Sequence, residues 1–490
     1  MKRLMVGVFV AGLIAASCAI SVAESKIAGS VVKIYAVTAP WDYMKPWTRE
    51  ASSQVSGSGC IIDGGRILTS AHVIADTQFI QVKRAGKAEK YAARVEVVAH
   101  ECDLAILKVE DDVFFAGAAA VPLGDLVRPQ DKVAVYGFPQ GGEEMSVTAG
   151  IVSRVEKNDY AHSMVELLCG QIDAAINVGN SGGPVIKDGR LVGVAFQAGK
   201  GENISYMVPA PVIRRFLKDS ADGTYGGTPG LEIYVQTLEN PDLREKLGLR
   251  AAAHKGRGIA VREILHGSPA DGLLMEGDVI LAVDGQPVAQ DGTVEFRRGE
   301  RTDYEIVIQE KFLGDSIEVE VFRDGETKKI PIVLNVRKHA RRMIEKVEYD
   351  RPPTYYLVGG LVFQPLTFNY MALWSKGDAP TRLLYYGIMA RKSENLRQAV
   401  VLTAILADEL NAGYQASEDE IIVEANGHRL KDFSDLVRAV ETNTGPYHEF
   451  ISDRGIRIFI SAKKAEERKR QILETYAVPA DRSVDLRDGV

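Results

Sequence analysis

The chain has 490 residues, too many for one hydrophobic core, so two to four domains are expected. Hydrophobic residues make up 46% and charged residues 26%, the proportions of an ordinary soluble globular protein. A net charge of −7, without a strong basic block, argues against nucleic acid as a partner. The 46 glycines and 7% aromatic residues suit short strands joined by tight turns.

Residues 1–23 read as a secretory signal: Lys2-Arg3, an apolar run from Leu4 to Ile20, then Ser21-Val22-Ala23 as a small-residue cleavage site. An uncleaved anchor is the competing reading, and the small-residue end favours cleavage. Cys18 follows Ala15-Ala16-Ser17, but the large aliphatic residue usual for a lipoprotein is missing three places before it. Later apolar runs such as 399–407 are too short to span a bilayer. The expected mature chain is exported and soluble, most simply in a bacterial periplasm. Cleavage leaves Cys60, Cys102 and Cys169, an odd number without Cys-x-x-Cys spacing, which argues against zinc. His100 and Cys102 are neighbours, but two ligands do not make a metal site. Buried free thiols are expected, with one disulfide left open.

Residues 31–37 form the first expected strand. Residues 41–57 carry Trp41, Tyr43 and Trp47 without periodicity and read as a loop. Three or four strands follow between 57 and 110. One is an apolar run, 67–71, that delivers His72 at its tip. Another alternates over 104–109 and begins with Asp103, a carboxylate costly to bury without a partner. A histidine N–H supplies that partner, and the pair gives a general base its tautomer and orientation. Residues 111–130 are a connector, and strands are expected at 133–136, 145–155, 165–168 and 191–196. Before the last lies Asn177-Val178-Gly179-Asn180-Ser181-Gly182-Gly183-Pro184, a serine among three glycines. Glycine permits the sharp turns and close approach that an exposed nucleophile and its backbone N–H donors need.

Residues 223–230 are a glycine-rich linker. A module ending near 336 then contains Ser268-Pro269-Ala270 and a hairpin pattern over 277–288. A charged run, 337–342, and Pro352-Pro353 read as an exposed connector. A second module, 354–462, echoes the hairpin at 419–430 and adds a helix at 433–441. The tail, 463–490, is highly charged, with one exposed helix.

The order His72, Asp103, Ser181, with Gly57-Ser58-Gly59, Thr69-Ser70-Ala71-His72 and Asp103-Leu104-Ala105-Ile106-Leu107-Lys108, resembles the HtrA/Deg family of ATP-independent serine proteases. Trp47, Gly141-Gly142, residues 146–154 and Gly359-Gly360-Leu361-Val362-Phe363 make it most similar to the plant-type Deg branch. The resemblance implies a mainly β chain: a chymotrypsin-like double β-barrel protease domain at 24–222, then PDZ-like α+β domains at 228–336 and 354–462. It also implies a helix at 211–218, a loop at 41–57 that regulates access to the active site, with cover for an apolar rim as the alternative here, and Ser268 as a helix start in the first PDZ-like module.

By the same resemblance His72, Asp103 and Ser181 are the triad, and Gly179, Asn180 and Ser181 form the oxyanion hole. Ile176, Phe196, Gln197 and Ala198 line an apolar pocket for small aliphatic side chains. Carboxylate-binding PDZ loops are Gly230-Leu231-Glu232-Ile233 and Gly359-Gly360-Leu361-Val362-Phe363, though such loops also dock neighbouring subunits and Glu232 repels a carboxylate. Asn180 stands where trypsin-type enzymes hold an aspartate that pairs with a released amino terminus, so a clipped zymogen is not expected.

The expected function is an exported serine endopeptidase acting on unfolded polypeptides in protein quality control, without cofactor or metal. A chaperone or a PDZ-based peptide-binding scaffold with little proteolysis is the alternative. A trimer or a multiple of it is expected, partly because Trp41, Tyr43 and Trp47 are poor candidates for free exposure.

Overall fold

The structure is a computed structural model that describes residues 26–199, 204–249, 254–345, 347–374 and 378–487. The expected signal segment, 1–23, lies outside the described residues. The chain forms two compact units, and they do not follow it serially. The first holds the residues up to Thr38, Ser52–Thr228 and Thr293–Leu313; the second holds Ala39–Ala51, Pro229–Gly292 and Gly314 onward.

In the first unit β-branched and aliphatic runs make two closed antiparallel barrels. β1 (Val31–Thr38), β2 (Ser53–Ile62), β3 (Arg66–Thr69), β4 (Thr77–Arg84), β5 (Tyr91–Ala99) and β6 (Leu104–Val109) close in the order β1-β2-β3-β6-β5-β4. β7 (Lys132–Gly137), β8 (Ser146–Tyr160), β9 (Val165–Ile172), β10 (Pro184–Lys187), β11 (Arg190–Ala198) and β12 (Ser205–Pro209) close as β10-β11-β12-β9-β8-β7. The alternation expected over 104–109 is masked, because Leu104, Ala105, Ile106 and Leu107 are all buried and both faces of β6 are covered. A helix, Ala210–Asp219, follows β12 close to the expected 211–218, burying Val212, Ile213 and Phe216 along one side. Each such apolar side chain contributes about 1.5–3 kcal/mol by leaving water.

The excursion Thr293–Leu313 interrupts the first PDZ-like module in sequence, yet it packs within the barrel unit. It is a hairpin, Thr293–Arg297 with Glu300–Asp303, followed by the helical turn Ile306–Gln309. Lys157 of β8 meets Glu305 at 2.7 Å, Glu166 at 2.9 Å and Asp303 at 3.3 Å. Burial alone lowers the Lys157 pKa, but these carboxylates override it and raise it. Leu168 N donates to Gln309 Oε1 at 3.0 Å, and the Arg297 guanidinium to Val127 O at 2.6 Å.

The second unit contains both PDZ-like sheets. The first orders its strands Ile233–Gln236, Ile259–Ile264, Val279–Val283, Ser316–Arg323 and Glu326–Val333. The helix expected from Ser268 is replaced by overlapping turns, since Gly267 and Gly272 flank it at φ of +71° and +76°. The second sheet runs Tyr356–Val358, Leu361–Pro365, Val400–Ile405, Glu420–Ala425, Tyr447–Ser452 and Arg457–Ser461. The helix Phe433–Glu441 stands at its expected place, and Phe433, Leu436, Val437 and Val440 form its buried stripe. The tail forms the helix Ala462–Thr475, with Ala465 and Ile472 buried. Among the described residues no helix is long and apolar enough to cross a membrane.

The segment 39–51 corrects two expectations. It is part of the second unit, where Tyr43 is buried with Ile344, Leu366, Tyr370, Leu383 and Val401. Gln364 Nε2 donates to Tyr43 O at 2.9 Å, and Trp47 meets Tyr355 edge-on at 5.7 Å. These aromatic residues are covered by their own chain, so they supply neither a free active-site flap nor the argument for a trimer. Tyr43→Ala removes a buried ring and leaves a cavity. It is expected to destabilise the second unit by about 3 kcal/mol, read as an earlier urea transition by circular dichroism with the barrel transition unmoved.

Candidate active site

His72 sits not on a strand tip but in the short helix Ala71–Ile74, directly after β3. Asp103 ends a 3₁₀ turn, His100–Cys102, in the left-handed conformation at φ +52°, which turns its side chain back before β6 begins. His72 N donates to Asp103 Oδ1 at 2.8 Å, and His72 Nδ1 lies 2.7 Å from Asp103 Oδ2. The Asp103 side chain is fully buried, whereas the imidazole keeps 30% of its surface. Burial alone lowers the His72 pKa; the charge and hydrogen bond of Asp103 outweigh it and hold the pKa above 6.5.

The serine loop comes to this pair through close backbone contacts. Ser58 N of β2 donates to Ser181 O at 2.8 Å, and Gly182 N to Ala195 O of β11 at 2.7 Å. A Cβ on Gly182 would stand 2.2 Å from Ser58 O and 2.9 Å from Ser70 N, so only glycine fits against the residue that caps the histidine helix. Gly179 is similarly fixed at φ +97°, where a Cβ would lie 2.4 Å from Phe138 O and 2.7 Å from Gln140 N.

The peptide 178–179 is held from its carbonyl side. Gln140 N donates to Val178 O at 2.7 Å, which turns the Gly179 N–H the other way. Ser58 Oγ, fully buried, donates to Gly179 O at 2.7 Å and accepts from Phe138 N at 2.9 Å. Among the described residues no backbone carbonyl accepts from the N–H of Gly179 or Ser181. Asn180 is 2% exposed, and its Oδ1 has no partner among the described residues.

Of the expected pocket residues, Ile176 and Phe196 are buried and Ala198 is exposed. The Phe196 ring packs on Tyr160 at 4.5 Å. Gln197 is engaged elsewhere: its Oε1 accepts from Ala161 N at 2.9 Å and its Nε2 donates to Asp159 O at 3.3 Å. It thereby holds the turn between β8 and β9. That turn carries His162, whose Nε2 lies 2.9 Å from His100 Nδ1 and whose ring centre is 6.1 Å from that of His72. Sequence reasoning missed His162 and Ser58. Ser58 had a signal in its two flanking glycines; His162 had none.

The expected carboxylate-binding loops lie in the second unit and are engaged by their own chain. Gly230 N donates to Val336 O at 3.1 Å, and the Glu232 carboxylate accepts from His339 N at 2.7 Å and Arg341 N at 3.1 Å. Leu231 is buried and Ile233 pairs with Ile264. Gly359 and Gly360, at φ of +58° and +84°, turn a tight hairpin that buries Leu361, Val362 and Phe363 completely. Cys60, Cys102 and Cys169 are buried free thiols, and burial pushes Cys60 and Cys169 up to about 12.

Residues 57–194 match the model of the trypsin-like peptidase domain, and residues 236–295 and 344–485 match PDZ domain models. Two closed barrels with PDZ-type sheets thus define a trypsin-like serine endopeptidase. Protease Do-like 2, chloroplastic, of Arabidopsis thaliana is 36% identical over 471 residues, covering 94% of this chain and 76% of that protein. Protease Do-like 4, mitochondrial, of the same plant is 35% identical over 462 residues, covering 94% and 85%. The HtrA-type protease AlgW, solved with a tripeptide, superposes with a TM-score of 0.51 at 28% identity over 64% of this chain and 96% of that one. The chain belongs to the Do-like (Deg/HtrA) protease family.

The ion pair sets a measurable midpoint. The His72 imidazole is expected to titrate above its ordinary 6.5, and Asp103→Asn removes both raising causes and leaves the lowering one. NMR should show the midpoint moving below 6.5 in that variant.

Proposed function

We propose that the chain cleaves unfolded polypeptides with Ser181 as nucleophile, His72 as general base and Asp103 as the group that orients the base. The carrying observation is the fully buried Asp103 carboxylate with both oxygens bonded to His72. A charge in such a place is costly unless a protonated partner faces it, and an imidazolium formed during proton transfer is that partner.

His72 takes the Ser181 proton as the hydroxyl attacks the scissile carbonyl, then returns it to the leaving amine. The N–H groups of Gly179 and Ser181 receive the oxyanion, with Asn180 between them. Removing one such donor typically costs about 3–4 kcal/mol of transition-state stabilisation. Ile176 and Phe196 supply the apolar wall of the primary pocket, which favours cleavage after Val, Ala, Ile or Leu. No step calls for ATP, a metal or another cofactor.

Export and a quality-control role complete the reading. Export rests on residues 1–23 alone, and the Arabidopsis relatives carry names that place them in chloroplast and mitochondrion. A homo-oligomer, a trimer or a multiple of it, rests on the family resemblance; light scattering at micromolar concentration checks it.

Casein zymography tests the core of the reading and separates it from a chaperone or scaffold. Ser181→Ala should abolish cleavage with an unchanged far-ultraviolet spectrum, and His72→Ala should do much the same, because triad members act as a unit. Activity should fall as pH drops through the His72 pKa, since a protonated imidazole cannot accept the serine proton. Wild-type cleavage by Ser181→Ala, or reversible loss to EDTA with indifference to serine-directed reagents, overturns the reading.

A further inference from the structure

β1 buries a lysine. The Lys33 side chain keeps 6% of its surface, a setting in which an unpaired ammonium is strongly disfavoured. Its Nζ donates to Gly142 O at 2.6 Å and to Glu143 Oε1 at 2.8 Å. The other oxygen of Glu143 accepts from Tyr35 Oη and from Lys83 Nζ, each at 2.8 Å. Three donors from β1 and β4 of the first barrel therefore grip one carboxylate on the loop that joins β7 to β8 of the second. Their hydrogen bonds hold the Glu143 carboxyl well below the usual range, at about 2. Lys90 adds positive charge nearby, its Nζ standing 3.8 Å from the Tyr35 ring centre.

The same loop sets one edge of the candidate oxyanion hole. Gly142 N donates to Pro139 O at 3.1 Å, closing a turn whose next N–H, on Gln140, holds Val178 O at 2.7 Å. Gln140, Gly141, Glu143 and Glu144 are exposed, and beyond Phe138 the loop buries no side chain fully. Apolar packing does not fix its position; polar contacts do. Those contacts are the Lys33 cluster at one end and the Val178 and Ser58 bonds at the other.

We propose that Lys33 and Glu143 are positioning residues that latch the 138–145 loop against the first barrel and so hold the Gly179 N–H in its oxyanion-binding direction. The proposal rests on Ser181 being the nucleophile and deepens that reading. The latch's effect passes through Gln140 and Val178, so it acts on the transition state and not on ground-state binding.

The test uses the full chain with fluorescently labelled casein and a peptidyl boronic acid that mimics the tetrahedral intermediate. Glu143→Ala and Lys33→Met are each expected to lower kcat about tenfold with KM unchanged. Boronate affinity should weaken in parallel. The double variant should lose less than the two single losses multiplied, because both remove the Lys33–Glu143 contact and act on one latch. Raising sodium chloride to about 1 M should slow the wild type and leave Glu143→Ala unaffected, since the carboxylate side of the latch is open to solvent.

Thermal unfolding monitors the fold. If Lys33→Met fails to fold, Glu143→Gln on the exposed side carries the test with the same expected loss. Wild-type kcat in the folded variants overturns the latch, and so does a raised KM at unchanged kcat. Failure of the catalytic reading looks different: cleavage would then persist in Ser181→Ala, whatever the latch variants do.

Discussion

The active-site region depends on one buried charge. Asp103 has no exposed side-chain surface, and both its oxygens are taken by His72. Without that partner its desolvation would cost several kcal/mol. The turn that places it is a meeting point. Ser163 Oγ donates to Glu101 O at 2.8 Å, His162 meets His100, and the buried Glu101 carboxylate accepts from Thr228 N at 2.9 Å. Within the four residues His100–Asp103, His100, Glu101 and Asp103 thus tie together the candidate base, the β8–β9 turn and the end of the linker.

The serine loop shows the complementary device, contact without side chains. Gly182 and Gly183 each leave only 2.2 Å between a would-be Cβ and a backbone oxygen, those of Ser58 and Tyr136. Around them Ser58, Thr69, Ser70 and Asn180 are buried polar residues, and Thr69 Oγ1 donates to Ser58 O at 2.7 Å. The hydrophobic core of the first barrel, with Ile34, Ile67, Val82 and Leu107, borders this seam at Val73 of the histidine helix. Apolar packing tolerates small displacements, whereas directional hydrogen bonds do not. A polar seam therefore fixes the geometry that acyl transfer needs, while the core supplies stability.

Most of the fold was legible because its signals are local. β-branched runs marked the strands, the four-residue rhythm of Phe433, Leu436, Val437 and Val440 marked a helix, and the glycine-rich octapeptide marked the serine loop. What escaped depends on contacts distant in sequence. Nothing around Trp41, Tyr43 and Trp47 says that their cover comes from residues near 344–401 and 355. The excursion 293–313 reads as part of a PDZ-like module and packs instead with the barrels through Glu305, Gln309 and Arg297. The Gln197 amide matches the two backbone groups of the 159–161 turn, a contact that its position along β11 does not announce. Helix at Ser268 failed for a local reason, the two left-handed glycines beside it, which propensity alone does not foresee.

Asn180 carries the last step. In the serine loop it is buried, and its Oδ1 lies in contact range of Gly137 with no donor among the described residues. An aspartate there would bury a charge without the amino terminus that neutralises it in clipped zymogens. The amide avoids that cost, but it also gives up the ion pair that could lock the loop. Its conformation then stands on backbone bonds: Asn180 N to Asn177 O, Gly183 N to Asn180 O, Gly182 N to Ala195 O and Gln140 N to Val178 O. The last of these reaches the β7–β8 loop of the same barrel, a solvent-exposed turn that buries little and is gripped by charge. A loop held in this way takes its geometry from the segments bonded to it: β11 through Ala195 and the β7–β8 loop through Gln140.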